Sequence, residues 1–142
     1  MYNFSGLFYR LYGVCGIMLL LGVICLLFEK PWRGFKKNSV TGMIIIFASI
    51  LFSVYYASRI ISPDISSYTG EFIESHRNSR VAPPLPFTNE YVFYDGYGKR
   101  KVVYLDTGSK NAIFGEELEI GKTYTVYFDD LTKIIVRIEL ES

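Results

Sequence analysis

Two long apolar stretches constrain this chain more than any other feature of its sequence. The first, LYGVCGIMLLLGVICLLF, covers residues 11–28 without a charge, and the second covers residues 40–61, where Arg59 near the end is the only charge. A helix needs about 20 apolar residues to cross the hydrocarbon core of a bilayer. Each Leu, Ile, Val or Phe in such a helix favours insertion by about 0.3–0.6 kcal/mol. The sequence therefore predicts two transmembrane helices.

A cleaved signal peptide is the alternative for the first stretch, because Arg10 precedes it. The segment after Phe28, EKPWRGFKKN, has no small-x-small cleavage site, and the apolar run exceeds a typical signal core. We therefore favour a two-helix membrane hairpin over residues 1–61. A short linker over residues 62–67 then joins it to an extramembrane domain over residues 68–142.

Charge is divided unevenly between these regions. Residues 1–61 carry six Lys or Arg against Glu29, a net charge of about +5, whereas the rest of the chain carries nine against thirteen acids, about −4. An acidic domain is a poor partner for nucleic acid. Cys15 and Cys25 both lie in the first span, so the extramembrane domain has no disulfide framework and no thiolate metal site.

The connection between the spans predicts the orientation of the hairpin. It contains the basic residues Lys30, Arg33, Lys36 and Lys37. Short loops rich in Lys and Arg stay in the cytoplasm. Two crossings then place both termini, and the whole C-terminal domain, outside. We expect an integral two-pass protein of a bacterial cytoplasmic membrane with an extracytoplasmic domain.

Small residues inside the spans indicate where helices pack. The candidates for helix packing are Gly13, Gly16, Gly22, Ser49, Ser53 and Ala57. The last three recur every four residues, so they form one stripe on which another helix can approach closely. Packing of the two helices on each other is favoured, and oligomerisation or partner binding is the alternative. Neither span has a central ionisable residue, which argues against a pore or transporter.

The C-terminal region alternates apolar and polar residues with the period of β-strands. Predicted strands cover residues 68–75, 89–95, 99–106, 122–129 and 133–140. A region of about 75 residues is small for an independent core, and a closed sheet protects its edges economically. The predicted fold is a membrane α-helical hairpin plus an all-β domain, a small antiparallel five-stranded barrel or sandwich.

Alternation in the last two strands predicts which side chains form the core. The expected core residues are Tyr124, Val126 and Phe128 on the fourth strand and Ile134, Val136, Ile138 and Leu140 on the fifth. The glycines of DGYG, residues 95–98, permit a tight hairpin between the second and third strands. Gly121 is expected to supply the turn before the fourth strand.

The whole arrangement resembles a group of uncharacterised bacterial membrane proteins with two N-terminal helices and a small OB- or SH3-like β-barrel. The matching segments are YTGEFIES, EYVFYDGYGKRKVVY and EIGKTYTVYFDDLTKIIVRIE. A G-x-x-Y-x-V-x-Y pattern near the end is matched by Gly121, Tyr124 and Val126, with Phe128 replacing the last Tyr. The resemblance implies a fold and supplies no catalytic residue.

No motif in the chain carries a recognisable chemistry. His76, the only histidine, lies in ESHRNSR and is expected in a solvated loop. Asp129 and Asp130 suit a hairpin turn, and the spacing of a calcium loop is missing. P-loop, dinucleotide and nucleophile-elbow patterns are missing too. The sequence predicts a protein that is not an enzyme and that uses neither cofactor nor metal.

Aromatic residues are more numerous than a small β domain can bury. Residues 91–94, YVFY, place large side chains on both faces of one strand. The predicted partner-binding surface comprises Phe87, Tyr94, Tyr97, Tyr104 and Tyr127. The connection over residues 76–89, with three prolines, either binds as well or serves as a stiff spacer.

These patterns favour a membrane-anchored, non-enzymatic envelope protein whose β domain binds another protein. An immunity protein against a secreted toxin is one specific form of this hypothesis, suited to a small, acidic, tethered domain. The alternative is a structural or assembly accessory of a membrane complex that acts through its helices, with a homo-oligomer as one form. An enzyme or transporter would need a cleft with converging polar groups or a polar path between the helices, and we expect neither.

Overall fold

The computed structural model describes residues 1–27, 36–77, 88–106 and 111–142, of which 36–39 and 106 are described by their backbone alone. The chain divides into two compact units. One is the helical unit, Leu7–Ser62, and the other is the β unit, which combines Met1–Gly6 with Pro63–Ser142. The first six residues, expected in the hairpin, thus belong to the β unit, because the Asn3 N–H donates to the Val136 carbonyl at 2.6 Å.

The helical unit contains two long helical stretches. The first comprises α1 (Ser5–Tyr9), a π-helical segment (Arg10–Val14) and α2 (Cys15–Leu27), and the second is α3 (Lys36–Ile61). Ser5–Leu27, with 23 residues, and Val40–Ile61, with 22, are long and apolar enough to cross a membrane. The first stretch begins before the predicted span because the Asn3 side chain accepts a hydrogen bond from the Ser5 N–H at 2.9 Å, as capping residues do.

Most apolar side chains of these helices are exposed. The buried share of the most apolar segment is 22% in the first helical stretch and 17% in the second. A helix that is apolar all round belongs either in a protein core or in a membrane. A core helix would be mostly buried, whereas these two helices are mostly exposed.

The β unit contains the five predicted strands and one extra hairpin. Its strands are β1 (Ile65–Arg77), β2 (Thr88–Tyr94), β3 (Arg100–Asp106), β4 (Ala112–Ile113), β5 (Glu116–Glu117), β6 (Thr123–Asp129) and β7 (Ile135–Leu140). The main sheet is antiparallel with the order β3-β2-β1-β6-β7, and β4 pairs with β5 separately. Strand β1 begins at Ile65, inside the range predicted as a linker, where its pairing with Asp129 starts.

The predicted closed barrel is wrong. Among the described residues, one parallel bridge, Tyr104 with Ile134, joins the edge strands β3 and β7. There the Tyr104 N–H donates to the Lys133 carbonyl at 2.9 Å. Two residues further along β7 the Val136 carbonyl accepts from Asn3 instead, so the N-terminal segment occupies the edge that a continued ladder would need. A sandwich is not formed either, because the second described sheet has two strands of two residues.

The β-unit core is built from aromatic and branched side chains. It comprises Phe72, Tyr91, Phe93, Val103, Leu105, Ile113, Leu118, Tyr124, Val126, Phe128 and Ile135. The core prediction for β6 is confirmed. That for β7 is partly wrong, because Leu140 is 57% exposed and Ile135 joins the core. The register shift at Tyr127/Phe128 brings Ile135 opposite Phe128 and so turns it inward, whereas Leu140 pairs with Tyr124 before the shift and is exposed at the end of β7.

Candidate partner-binding surface

The turn between β2 and β3 is fixed by one carboxylate. The Asp95 side chain accepts hydrogen bonds from the backbone N–H groups of Tyr97 and Lys99, at 2.9 and 2.8 Å. The Asp95 backbone closes the turn through bonds with Lys99 and Gly98. Gly98 has a φ of 76°, a conformation that favours glycine. The turn is therefore held in one conformation.

The same turn is attached to strand β1 beneath it. The Tyr68 hydroxyl donates to the Lys99 carbonyl at 2.5 Å. Burial, and next the nearby Asp95 charge, raise the pKa of Tyr68, so this donor stays protonated at neutral pH. At the base of the hairpin a Cβ on Gly70 would lie 2.6 Å from the Tyr94 carbonyl oxygen. Only glycine allows β1 and β2 to approach this closely.

Two of the predicted partner-binding residues lie on this hairpin. The side chain of Tyr97 is 99% exposed at the turn, and Tyr94 is 38% exposed at the end of β2. Exposed aromatic residues on rigid loops supply contact area at low entropic cost. Lys99 and Arg100 follow and are exposed. The hairpin thus presents one fully exposed ring beside basic side chains.

The other predicted residues lie apart from the hairpin. Tyr127 is half-buried, its hydroxyl donates to Glu139 at 3.0 Å, and its ring contacts that of Tyr2 at 6.1 Å. Tyr127 pairs with Ser67 on β1, and Tyr94 pairs with Glu71 on the same strand. These two positions are four residues apart, about 13 Å along β1. Tyr104 is half-buried beside the β3–β7 bridge. Phe87 lies outside the described residues.

The outer face of β1, β6 and β7 forms a polar network. The hydroxyls of Thr69 and Thr125 share a hydrogen bond of 2.6 Å, and Thr125 also donates to Glu141. The hydrogen bond to Glu139 raises the pKa of Tyr127. These groups satisfy one another across strands, as polar pairs on the solvent face of a sheet do.

His76 lies in strand β1, which corrects the prediction of a loop. Its Nε2 is 3.6 Å from a carboxylate oxygen of Glu90, and the Arg100 guanidinium is 3.6 Å from the other oxygen. This polar cluster links β2 to both of its neighbours, β1 and β3. Within the described ranges no three His, Cys, Asp or Glu side chains group as metal ligands do.

The two long helices contact each other through small residues. A Cβ on Gly22 would lie 2.6 Å from the Ile46 side chain and 3.1 Å from the Gly42 carbonyl. The buried Ser49 hydroxyl donates to the Cys15 carbonyl at 2.7 Å. Small residues that allow close backbone approach, and hydroxyls that bond across helices, are typical of membrane helix pairs.

The remaining small residues do not all take part. Gly16 is exposed, and a Cβ there would meet no described atom within 4 Å. At Gly13 the nearest atoms to a Cβ would be those of the Tyr9 ring, one turn away in the same helical stretch. The Ser53 hydroxyl bonds to the Ser49 carbonyl at 2.8 Å, also within its helix, and Ala57 is half-buried. The predicted stripe therefore contributes Ser49 to the helix contact.

Sequence reasoning missed several residues that build these sites. Gly42 was not named, although its place near the start of the second span mirrors Gly22 near the end of the first, as an antiparallel pair requires. Asp95 precedes the glycines of DGYG, and such a position favours a side chain that bonds the backbone two residues on. No sequence pattern indicated that Tyr68 supports the turn, because its partner Lys99 is distant in sequence.

The chain matches no protein-family model, and neither curated proteins nor solved structures include a similar protein. The resemblance to bacterial membrane proteins with a small β-barrel therefore stays a prediction.

Proposed function

We propose that this chain is a membrane-anchored, non-enzymatic protein whose β unit binds another protein through the β2–β3 hairpin. The observation that carries the proposal is the full exposure of Tyr97 on a turn fixed by Asp95 and Tyr68. A rigid turn loses little conformational entropy on binding, and tyrosine is enriched among residues that dominate interfaces. The hairpin thus offers a preorganised contact.

The anchor in this proposal is the pair of long helices. They cross a bacterial cytoplasmic membrane, and the basic connection stays in the cytoplasm. Both termini and the β unit then face outward. Tethering restricts the β unit to the membrane surface, which raises its concentration for a partner arriving there.

An immunity protein against a secreted toxin is the specific form of this proposal. Such a protein must meet its toxin outside the membrane and needs contact residues rather than catalytic ones. Lys99 and Arg100 beside Tyr97 suit a partner whose surface is acidic around an aromatic pocket.

Photocrosslinking tests this surface directly. A photoreactive phenylalanine analogue at Tyr97 in intact cells should yield a covalent complex, and Tyr97→Ala should lower partner recovery at least tenfold, as a central aromatic residue does. The matched control is Ile120→Ala. Ile120 is also exposed, at 70%, but belongs to a different turn.

Circular dichroism should give equal unfolding midpoints for both variants, because neither side chain is buried. Equal partner recovery from Tyr97→Ala and the unaltered chain would reject the hairpin as the binding surface.

The second candidate function is a structural accessory that assembles through its helices. Two features favour it. Gly16 is exposed, and a concavity of about 510 Å³ on α3 is lined by Ala48, Leu51, Phe52 and Tyr55. A small residue and an apolar groove both suit an additional helix.

Gly16→Ile separates the two functions. It should reduce complex size in detergent and leave the hairpin partner bound if assembly occurs through α2. Unchanged complex size removes this face of α2 from the accessory function.

A further inference from the structure

The turn between β6 and β7 exposes a leucine between charged residues. Leu131 is 60% exposed at its apex. Asp129 fixes the turn, because one of its oxygens accepts both the Thr132 N–H at 3.0 Å and the Thr132 hydroxyl at 2.8 Å. Lys133 follows in a left-handed conformation with a φ of 57°. The turn therefore holds Leu131 in water at a fixed position.

The turn is bonded to the chain segment that follows α3. The Asp130 N–H donates to the Asp64 carbonyl at 2.7 Å, and the Asp64 N–H reaches the Asp129 side chain at 3.3 Å. Asp64 is three residues beyond Ile61, the last residue of α3. Three residues span at most about 11 Å. If α3 crosses a bilayer, its covalent connection keeps this turn close to the surface from which the helix emerges.

Two lysines accompany the leucine. The ammonium of Lys101 lies 4.3 Å from the centre of the Phe128 ring, and that of Lys133 lies 5.5 Å from it. Burial chiefly lowers the pKa of Lys101, and the charge of Lys133 lowers it further, whereas the charge of Asp130 raises it. Asp130 balances Lys133 at 2.7 Å. Both ammonium groups therefore lie together beside the turn.

We propose that the β6–β7 turn contacts the headgroup layer of the membrane that α3 crosses, with Leu131 inserted and Lys101 and Lys133 against lipid phosphates. A single exposed leucine is ordinary on a soluble protein. Here it lies within chain reach of the bilayer and beside two cations, the combination found in interfacial segments that insert about 5–10 Å. The contact involves the turn itself. It rests on the membrane insertion in the proposed function but not on a protein partner.

Depth-dependent fluorescence quenching tests this contact in vesicles of phosphatidylcholine mixed with phosphatidylglycerol, with no other protein present. The full chain carries Cys15→Ala and Cys25→Ala, which is tolerable at residue 15 because Ser49 bonds its carbonyl. An environment-sensitive dye is placed at Leu131→Cys, and lipids brominated near the headgroup serve as quenchers. We expect a blue-shifted dye and several-fold stronger quenching than at the matched control Ile120→Cys.

Ile120 is a suitable control because it is similarly apolar and exposed but lies far from Asp64 along the strands. The next residue, Gly121, bonds to Phe72, which is eight residues beyond Asp64, about 26 Å of chain. Equal, weak quenching at both positions overturns the proposal and leaves the hairpin surface untouched. A dye at Phe47→Cys, inside α3, must be quenched by bromines placed deep in the bilayer. If it is not, membrane insertion fails and the proposal falls with it.

Charge is tested separately. Lys101→Gln with Lys133→Gln should reduce quenching at position 131 about as much as omission of phosphatidylglycerol does. If quenching at position 131 stays the same after both changes, the proposed role of the lysines is wrong.

Discussion

The two units of this molecule use the same apolar residue types in opposite ways. In the helical unit Phe47 is 64% exposed and Leu51 is 55% exposed, whereas in the β unit Phe72 is 1% exposed and Phe93 is fully buried. Water would disfavour the first arrangement and enforce the second. The difference teaches that the helices expose the apolar residues that the sheet buries, as the proposed membrane anchor requires.

The units also differ in what holds their elements together. Close backbone approach at Gly22 and Gly42, with one interhelical hydroxyl bond from Ser49, joins the helices. Aromatic packing around Phe72 stabilises the sheet, with its ring near those of Tyr91, Phe93 and Tyr124. In the proposed membrane no hydrophobic effect would drive the helices together, so close packing at small residues would hold them, whereas in water the burial of large apolar side chains stabilises the sheet.

The largest effect is expected from truncating the β-unit core. Phe72→Ala should cost about 3–5 kcal/mol of the free energy of unfolding, because it leaves a cavity among three rings. The matched change in the helical unit, Leu51→Ala, should cost less than about 0.5 kcal/mol, since an exposed site loses little packing. Urea unfolding of the full chain in detergent, followed by near-ultraviolet circular dichroism, measures both. Equal losses of unfolding free energy in the two variants would contradict the difference between the two units.

A smaller effect is expected from enlarging the helix contact. Gly22→Ile forces a side chain into Ile46 and the Gly42 carbonyl, and overpacking of this kind costs about 1–3 kcal/mol. Gly16→Ile, on the same helix but facing open space, should leave the contact intact. A disulfide or crosslink between cysteines on α2 and α3 would form in the second variant and be lost in the first. Retention in both would show that the close approach is dispensable.

The smallest effect concerns the β6–β7 turn and acid. The hydrogen bond from Lys133, with its charge, holds the pKa of Asp130 below the ordinary value of 3.8. A lowered pKa in the folded state adds stability that is fully present above pH 3.8 and is lost as the pH falls through the folded value.

Asp130→Asn should therefore flatten the pH dependence of the unfolding free energy in this acidic range. Urea titrations at several pH values measure it, with the exposed Glu116→Gln as a control of equal charge. An unchanged pH profile in Asp130→Asn would contradict the role of this ion pair.

Much of the architecture was predictable because it depends on local patterns. Apolar length predicted the two helices, and period-two alternation predicted the five main strands. The core side chains of β6 followed from the same alternation. Each of these features requires only neighbouring residues, so a single sequence contains them.

The remaining features depend on contacts between distant residues. A register shift opposite Phe128 turned Ile135 inward, and alternation cannot reveal a shift. Closure failed because Asn3, more than a hundred residues away, occupies the edge of β7. In the candidate site, exposure of Tyr97 followed from its glycine-flanked turn, whereas the support from Tyr68 did not.

Accessibility of one cysteine in intact cells tests the central claim most directly, namely that two lipid-embedded helices hold an outward-facing β unit. Tyr97→Cys, in a chain whose two native cysteines are alanine, places a thiol at the most exposed ring of the hairpin. The account predicts that a membrane-impermeant maleimide labels this thiol in unbroken cells and that the labelled chain stays with the membrane after alkaline carbonate extraction. Labelling only after lysis, or recovery of the chain in the carbonate supernatant, would contradict it.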